Sequence, residues 1–337
     1  MDAVLDATRQ SRRLVYHVAE RSVTINALDE SSADLIEKVF AEWHLIPKSE
    51  NGSGVTGCTI RIRTERELPS LPSGGPRFEI ADNGVCHNNG LASYLEIHDS
   101  LVILGLPGLA DVEVWINPAG TDDFQKLIRV VSYALSSALR RCGLFELHSA
   151  AVVDPTSKKG VLIVGPSGSG KSTLTTQLAA AGWPHLSDDV LVLGDRNNQI
   201  AAWPVRRCFA VTQQTLSLSQ FLQTRVSFVP SETREKARFS PLDVFVSGFK
   251  ESCTPRSLFF SQITNDEQSR ISPLSPGEMM TRLLRMSPWS CYDQSTAREH
   301  LSALARLVKQ CKAFDLFAGR DFLAPDKSSS VLASYVQ

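Results

Sequence analysis

No run of apolar residues in the 337-residue chain is long enough to cross a bilayer as a helix. The opening residues, Met1-Asp2-Ala3-Val4-Leu5-Asp6, lack the basic start and apolar core of a secretory leader. An excess of charge is missing too. The 35 Lys and Arg stand against 36 Asp and Glu, a formal net charge of −1, which marks neither nucleic acid nor an anionic membrane as partner. The seven cysteines (Cys58, Cys86, Cys142, Cys208, Cys253, Cys291 and Cys311) are odd in number, widely spaced and never arranged as C-x-x-C. That pattern argues against a disulfide framework and predicts a reduced, cytoplasmic protein. There is no H-x-x-x-H to hold zinc, and His17, His44, His87, His98, His185 and His300 have no partner at ligand spacing. No G-x-S-x-G points to an esterase. Internal repeats and low-complexity tracts are absent as well.

What is present reads as a globular protein of two domains. Apolar residues make up 42% and charged residues 21%, and the length is enough to bury sizeable cores. Residues 1–143 read as a β-rich N-terminal domain with two helices, suited to substrate recognition, and 144–325 as a catalytic domain. In the first, Cys58-Thr59-Ile60-Arg61-Ile62-Arg63 alternates apolar and polar with period two. Ser31 with Asp34 predicts the cap of a helix carrying Leu35, Ile36, Val39, Phe40 and Trp43 on one face. A longer helix opens at Thr121-Asp122-Asp123 and bridges to the second domain. Its Arg140 and Arg141 suit the helix dipole, and Gly143 can cap it. Residues 47–57 and 69–76 read as exposed loops. Capping-box spacing recurs at Ser275–Glu278 and at Thr296-Ala297-Arg298-Glu299, and Ser328-Ser329-Ser330 reads as the start of a frayed tail.

One stretch organises the second domain: Gly165, Pro166, Ser167, Gly168, Ser169, Gly170, Lys171, Ser172 and Thr173. It fits G-x-x-x-x-G-K-[ST]. The flanks fit as well as the letters. Val161-Leu162-Ile163-Val164 is an apolar run of buried-strand type. Residues 172–181 contain no Gly or Pro and predict a helix, which Gly182 terminates. Strand, glycine-rich loop and helix together place backbone N–H groups and a positive helix end around an anion. Lys171 is spaced to reach β- and γ-phosphates, and the Ser172 hydroxyl to reach Mg²⁺.

An acidic pair follows in an unusual order. Asp188 and Asp189 precede the apolar run Val190-Leu191-Val192-Leu193 instead of ending it. For these carboxylates to reach the same magnesium, the following strand must start at the end where the phosphate-loop strand stops. That predicts a strand antiparallel to it, with a hairpin through Asn197-Asn198 into residues 199–203.

His148 before a hairpin of residues 150–164, the loop 165–172, Gly182, Asp188 and Asp189 together resemble the catalytic domain of HPr kinase/phosphorylase, a relative of phosphoenolpyruvate carboxykinase. The resemblance implies an α/β fold with a mixed sheet. It implies ATP and Mg²⁺ as cofactors, with Ser172 and Asp188 on the metal. Asp189 would accept the proton of a hydroxyl, and His148 would lie near the γ-phosphate. The acceptor would be a serine or threonine of a peptide or protein, or a small-molecule alcohol, and the family's oligomers imply a homo-oligomer. Relatives of this fold include kinases that tailor ribosomally made peptides of the lasso type. The chain departs from the family after residues 201–207, where no glutamate matches the family's metal-holding glutamate. Arg206 and Arg207 are candidates to hold an anionic substrate, with surface charge the alternative. The charged segment 231–238 is expected to be a loop that brings Lys236 or Arg238 to the transferred phosphoryl group, with a solvated loop the alternative. Two other functions remain open: a nucleotide-dependent regulatory or binding protein with slow ATP hydrolysis, and a carboxykinase-type metabolite enzyme.

Overall fold

The structure, a computed structural model, describes residues 11–45, 57–71, 74–80, 83–89, 92–104, 111–117, 123–226 and 236–336. The polar stretch 46–56 and most of the charged segment, 231–235, lie outside them. The chain separates into two compact units. One comprises Met1–Gly143 with Cys291–Ala297, and the other Leu144–Ser290 with Arg298–Gln337. The second unit is thus interrupted in sequence by residues 291–297. No helix among the described residues is long and apolar enough to cross a membrane.

The first unit is built on an eight-stranded sheet. Its strands are β1 (Arg12–Val18), β2 (Arg21–Ala27), β3 (Cys58–Thr64), β4 (Arg77–Ile80), β5 (Gly84–Asn88), β6 (Ser93–Ile97), β7 (Ser100–Leu104) and β8 (Val112–Ile116). Their order is β1-β2-β3-β8-β7-β6-β5-β4. Only the β2-β3 and β3-β8 pairs are parallel. Helix α1 (Glu30–Glu42) connects β2 to β3. Its cap is Asp29, not Ser31: the Asp29 carboxylate accepts the Ser32 N–H at 2.8 Å. The same carboxylate accepts from the Thr64 N–H, a partner 35 residues away in sequence. Ile36, Val39, Phe40 and Trp43 are buried, while Leu35 is half-buried. The alternation in β3 buries Cys58, Ile60 and Ile62; on the opposite face Arg61 and Arg63 meet the buried carboxylate of Glu113 at 2.8 and 3.8 Å. Helix α2 (Phe124–Arg141) groups with this unit. Asp123 caps it, accepting from the Gln125 N–H at 2.9 Å.

The second unit is a mixed α/β sandwich, as the sequence predicted. Its strands are β9 (Phe145–Val153), β10 (Gly160–Val164), β11 (His185–Ser187), β12 (Val190–Arg196), β13 (Gln199–Pro204), β14 (Phe209–Thr212), β15 (Lys236–Phe239), β16 (Pro255–Ile263), β17 (Arg270–Leu274) and β18 (Lys312–Ala318). The main sheet runs β13-β12-β9-β10-β16-β18-β17, with β11 also on β9, and β14 pairs β15 separately. One face packs on helices α7 (Pro276–Arg285) and α9 (Ala297–Gln310), separated in sequence by the short α8 (Trp289–Tyr292), through Met279, Leu283, Leu304 and Leu307. The other packs on α3 (Lys171–Ala180) and α10 (Pro325–Ala333) through Leu174, Leu178 and Leu332. Three shorter helices, α4 (Gln213–Leu218), α5 (Gln220–Gln223) and α6 (Pro241–Val244), form a lobe with β14 and β15 around Phe209, Leu222 and Phe245. The expected box Ser275–Glu278 forms in full. At Thr296 the hydroxyl donates instead to the Asp293 carbonyl at 3.4 Å.

Two sequence expectations fail here. Ser328, Ser329 and Ser330 lie inside α10 and are no frayed tail. Ser328, Leu332 and Val336 are buried, and Ser329 Oγ accepts a hydrogen bond from Trp183 Nε1 at 2.8 Å. The four-residue spacing of Ser328 and Leu332 places them on one face of the helix, and Val336 follows just past its end. The direction of β12 is the second. Both β10 and β12 are antiparallel to β9, so β12 runs in the same sense as β10, two positions away. The cause is the nine-residue length of β9. Its later half, from Ser149 on, pairs with β10, and its first half, up to His148, pairs with β12. β12 therefore starts at the level where β10 ends without reversing. His148 consequently lies within a strand, not ahead of one, opposite Val190.

Candidate active site

β10 delivers Gly165 at its carboxyl end, and α3 opens at Lys171 with Gly170 as its N-cap. Gly168 and Gly170 have φ of +81° and +91°, left-handed values that only glycine adopts without strain. Left-handed residues at alternate positions turn successive N–H groups to one side, the arrangement that holds an anion. Gly165 is required by contact: a Cβ there would lie 2.4 Å from Ser169 Oγ. That hydroxyl sits 3.2 Å from Ser261 Oγ on β16. The Ser169 N–H donates to the Pro166 carbonyl at 3.2 Å, while Pro166, Ser167 and Gly168 form an exposed rim. The loop is therefore held in shape by its own residues and by β16. At its far end Thr173 Oγ1 lies 3.1 Å from Thr215 Oγ1 of α4.

Lys171 is buried, and its ammonium donates to Gly165 O at 2.8 Å, to Pro166 O at 3.0 Å and to His148 Nε2 at 2.9 Å. Three donors meet three acceptors. Burial lowers its pKa, against the opposing pull of Asp189. His148 accepts from Lys171 through Nε2, so its proton is assigned to Nδ1 and the ring is neutral. Burial, opposed by Asp189, lowers its pKa in the same direction. The same Nε2 stands 3.4 Å from Asp189 Oδ1.

The acidic pair occupies the break between β11 and β12. Ser187 Oγ shapes the turn, donating to the Val190 carbonyl at 2.9 Å and accepting from the N–H groups of Asp189 and Val190 at 3.3 Å. The two carboxylates thus enter different environments. Asp188 is buried and accepts the Ala210 N–H of β14 at 2.9 Å. Burial, and then the neighbouring charge of Asp189, push its pKa up to about 7. Asp189 is one-third exposed and faces His148. Ser172 Oγ donates to the backbone carbonyl of Asp188 at 3.4 Å, which brings the loop hydroxyl and the acidic turn together. Mg²⁺ takes one or two carboxylates, keeps several waters and shares substrate phosphates. The Ser172 hydroxyl together with the Asp188 carboxylate it bears on fits that demand. A site made by protein ligands alone is a different matter, since no cluster of three His, Cys, Asp or Glu among the described residues would hold a metal.

The structure thus gathers His148, Lys171, Ser172, Asp188 and Asp189 around one loop. Of the basic candidates, Lys236 is exposed at the start of β15, and its charge acts on His148, Lys171 and Asp188. Arg238 lies opposite Ala210, the residue whose N–H holds Asp188. Arg206 and Arg238 both act on the thiol of Cys208, which burial pushes up to about 11. Arg207 is not part of this group: it pairs with Glu251 at 2.7 Å on the surface and covers Phe249. Ala210, Thr215 and Ser261 were not foreseen. One contributes a backbone N–H and the others a hydroxyl, from elements far along the chain, and no sequence pattern marks such residues.

A phosphate loop leaving a strand of a mixed α/β sheet, with an acidic pair at the level of its carboxyl end, defines the class of site. No family model matches the sequence, and no curated protein matches it. Among solved structures the chain matches the Hpr(Ser) kinase/phosphatase from Coxiella burnetii at 19% identity, with a TM-score of 0.27. The match covers 39% of this chain and 64% of that one.

Proposed function

We propose that the protein is an ATP- and Mg²⁺-dependent phosphotransferase that moves the γ-phosphoryl group to a hydroxyl. The acceptor class is a serine or threonine of a peptide or protein, or a small alcohol. The observation that carries the reading is the convergence of the buried Lys171 side chain, the His148 ring 2.9 Å from it and the Asp189 carboxylate 3.4 Å from that ring at the glycine-rich loop. Phosphoryl transfer needs positioning and neutralisation of charge more than covalent chemistry. Lys171 supplies the buried positive charge, exchanging loop carbonyls for phosphate oxygens. Ser172 and Asp188 would hold the magnesium, which when bound neutralises charge on the phosphates. Asp189, one-third exposed and beside His148, would take the proton of an incoming hydroxyl.

The test pairs binding with transfer. Asp189→Asn is expected to bind Mg²⁺-ATP as the natural chain does and to lose about 10²–10⁴-fold in transfer, the scale of removing a general base. Lys171→Ala should lose both. Nucleotide affinity is read by calorimetry and transfer by the mass shift of candidate hydroxyl acceptors. Full transfer in Lys171→Ala would overturn the reading, and full transfer in Asp189→Asn would remove that carboxylate from it.

A further inference from the structure

The carboxyl ends of β10, β16 and β18 lie along one edge of the second unit's sheet, because the three strands are mutually parallel. Ligands of open α/β sheets bind outside such ends. The acidic turn flanks the phosphate loop on the β9 side. On the other side, β16 ends in an exposed aliphatic residue. Ile263 is the last residue of that strand. It lies on the same strand face as Ser261, the residue that touches the loop through Ser169. Its side chain also lies against the loop: a Cβ on Gly170 would stand 2.9 Å from Ile263 Cγ1 and 3.3 Å from Cδ1. Yet Ile263 is 55% exposed, whereas Phe259, on the same face of the same strand, is fully buried. Single exposed aliphatic residues need no explanation in general. This one combines exposure with contact to the first turn of α3. The backbone beside it is fixed: the Thr264 N–H donates to the Ala318 carbonyl at 2.9 Å and the Arg320 N–H to the Asp266 carbonyl at 2.9 Å. Gly319 is packed too closely to accept a side chain, since a Cβ would lie 2.7 Å from the Asp266 oxygen.

We propose that Ile263 is the apolar platform for the nucleoside of a nucleotide whose phosphates occupy the loop at residues 165–173, an inference that rests on the nucleotide reading above. The ribose and base would cover the aliphatic surface that the fold leaves open, and Ile263 would add affinity for nucleotides over bare phosphate chains.

Calorimetry on the full-length chain with Mg²⁺ compares ATP with inorganic tripolyphosphate, which has the phosphates and no nucleoside. Ile263→Ser is expected to weaken ATP about ten-fold, the scale of losing one apolar side-chain contact, and to leave tripolyphosphate unchanged. Ile263→Leu should bind both as the natural chain does. Thermal unfolding checks that both variants are folded. An unchanged ATP affinity in Ile263→Ser, or an equal loss for both ligands, would overturn the platform while leaving the nucleotide reading intact. Failure of the natural chain to bind ATP would overturn both.

Discussion

Asp188 and Asp189 show how far two identical, adjacent side chains diverge once they are placed. One is buried on the Ala210 N–H with its pKa pushed up to about 7; the other remains partly solvated beside His148. His185, three residues earlier, is fully buried among Phe209, Phe245 and Phe249, and burial lowers its pKa from 6.5 to about 4. A histidine depressed in the folded state takes up its proton first in the unfolded chain. Its contribution is therefore fully present above pH 6.5 and is lost as the pH falls toward 4, reaching about 3 kcal/mol. The buried Asp188 carboxyl, raised to about 7, works in the opposite sense in both proteins, so the difference is what reports on His185. Relative to the natural chain, the denaturant midpoint of His185→Phe should rise as the pH falls from 7 to 4. An identical slope in the variant would assign the acid sensitivity to other groups.

At the scale of elements, α10 is the clearest case of structure that packing supplies. Its composition is rich in serine, and helix propensity alone gives it little. Leu332 nonetheless buries against a cluster containing Leu174, Leu178, Phe259 and Phe314, and Val336, just past the helix end, joins that cluster. The element should therefore behave as core. Leu332→Ala is expected to cost about 2–5 kcal/mol, as large-to-small changes at fully buried sites do. Ser330→Ala, at an exposed position of the same helix, should change stability by less than about 0.5 kcal/mol. Urea denaturation of both variants tests this, and equal effects would mean that the helix is not docked as described.

The chain as a whole crosses between its units more than once. Cys291–Ala297 leaves the second unit's sequence and groups with the first. Its Asp293 is fully buried, with the Arg140 Nε at 3.2 Å and Arg141 Nη1 at 3.0 Å. Burial raises the carboxyl's pKa, but the two guanidinium groups outweigh it and hold it below its ordinary value. Removing one partner of a buried pair leaves the other charge uncompensated, at about 3–5 kcal/mol. Asp293→Ala should cost that much in the full-length chain. Arg140→Met should likewise lower the denaturation midpoint of the protein, and an unchanged midpoint in both variants would mean that this pairing does not support the fold.

The phosphate loop was legible because its requirements are local. Glycines at 168 and 170 need left-handed φ, Lys171 and Ser172 follow at fixed spacing, and a strand and a helix flank them. The Ser275 capping box and the alternation in β3 were legible for the same reason, since each depends on residues a few positions apart. The sense of β12 was not, because it depends on how far β9 extends past the end of β10, and no residue near Asp188 records that length. Nor did sequence distinguish Arg207, which pairs with Glu251, from Lys236, whose charge reaches the loop. Local chemistry, by itself, determined that the chain holds a glycine-rich loop between a strand and a helix, followed by two acids. Tertiary structure alone decided which carboxylate is buried, that Asp29 rather than Ser31 caps α1, and that Ile263 stands exposed against Gly170. Those outcomes depend on backbone groups and strand lengths brought together over tens of residues, which no short spacing encodes.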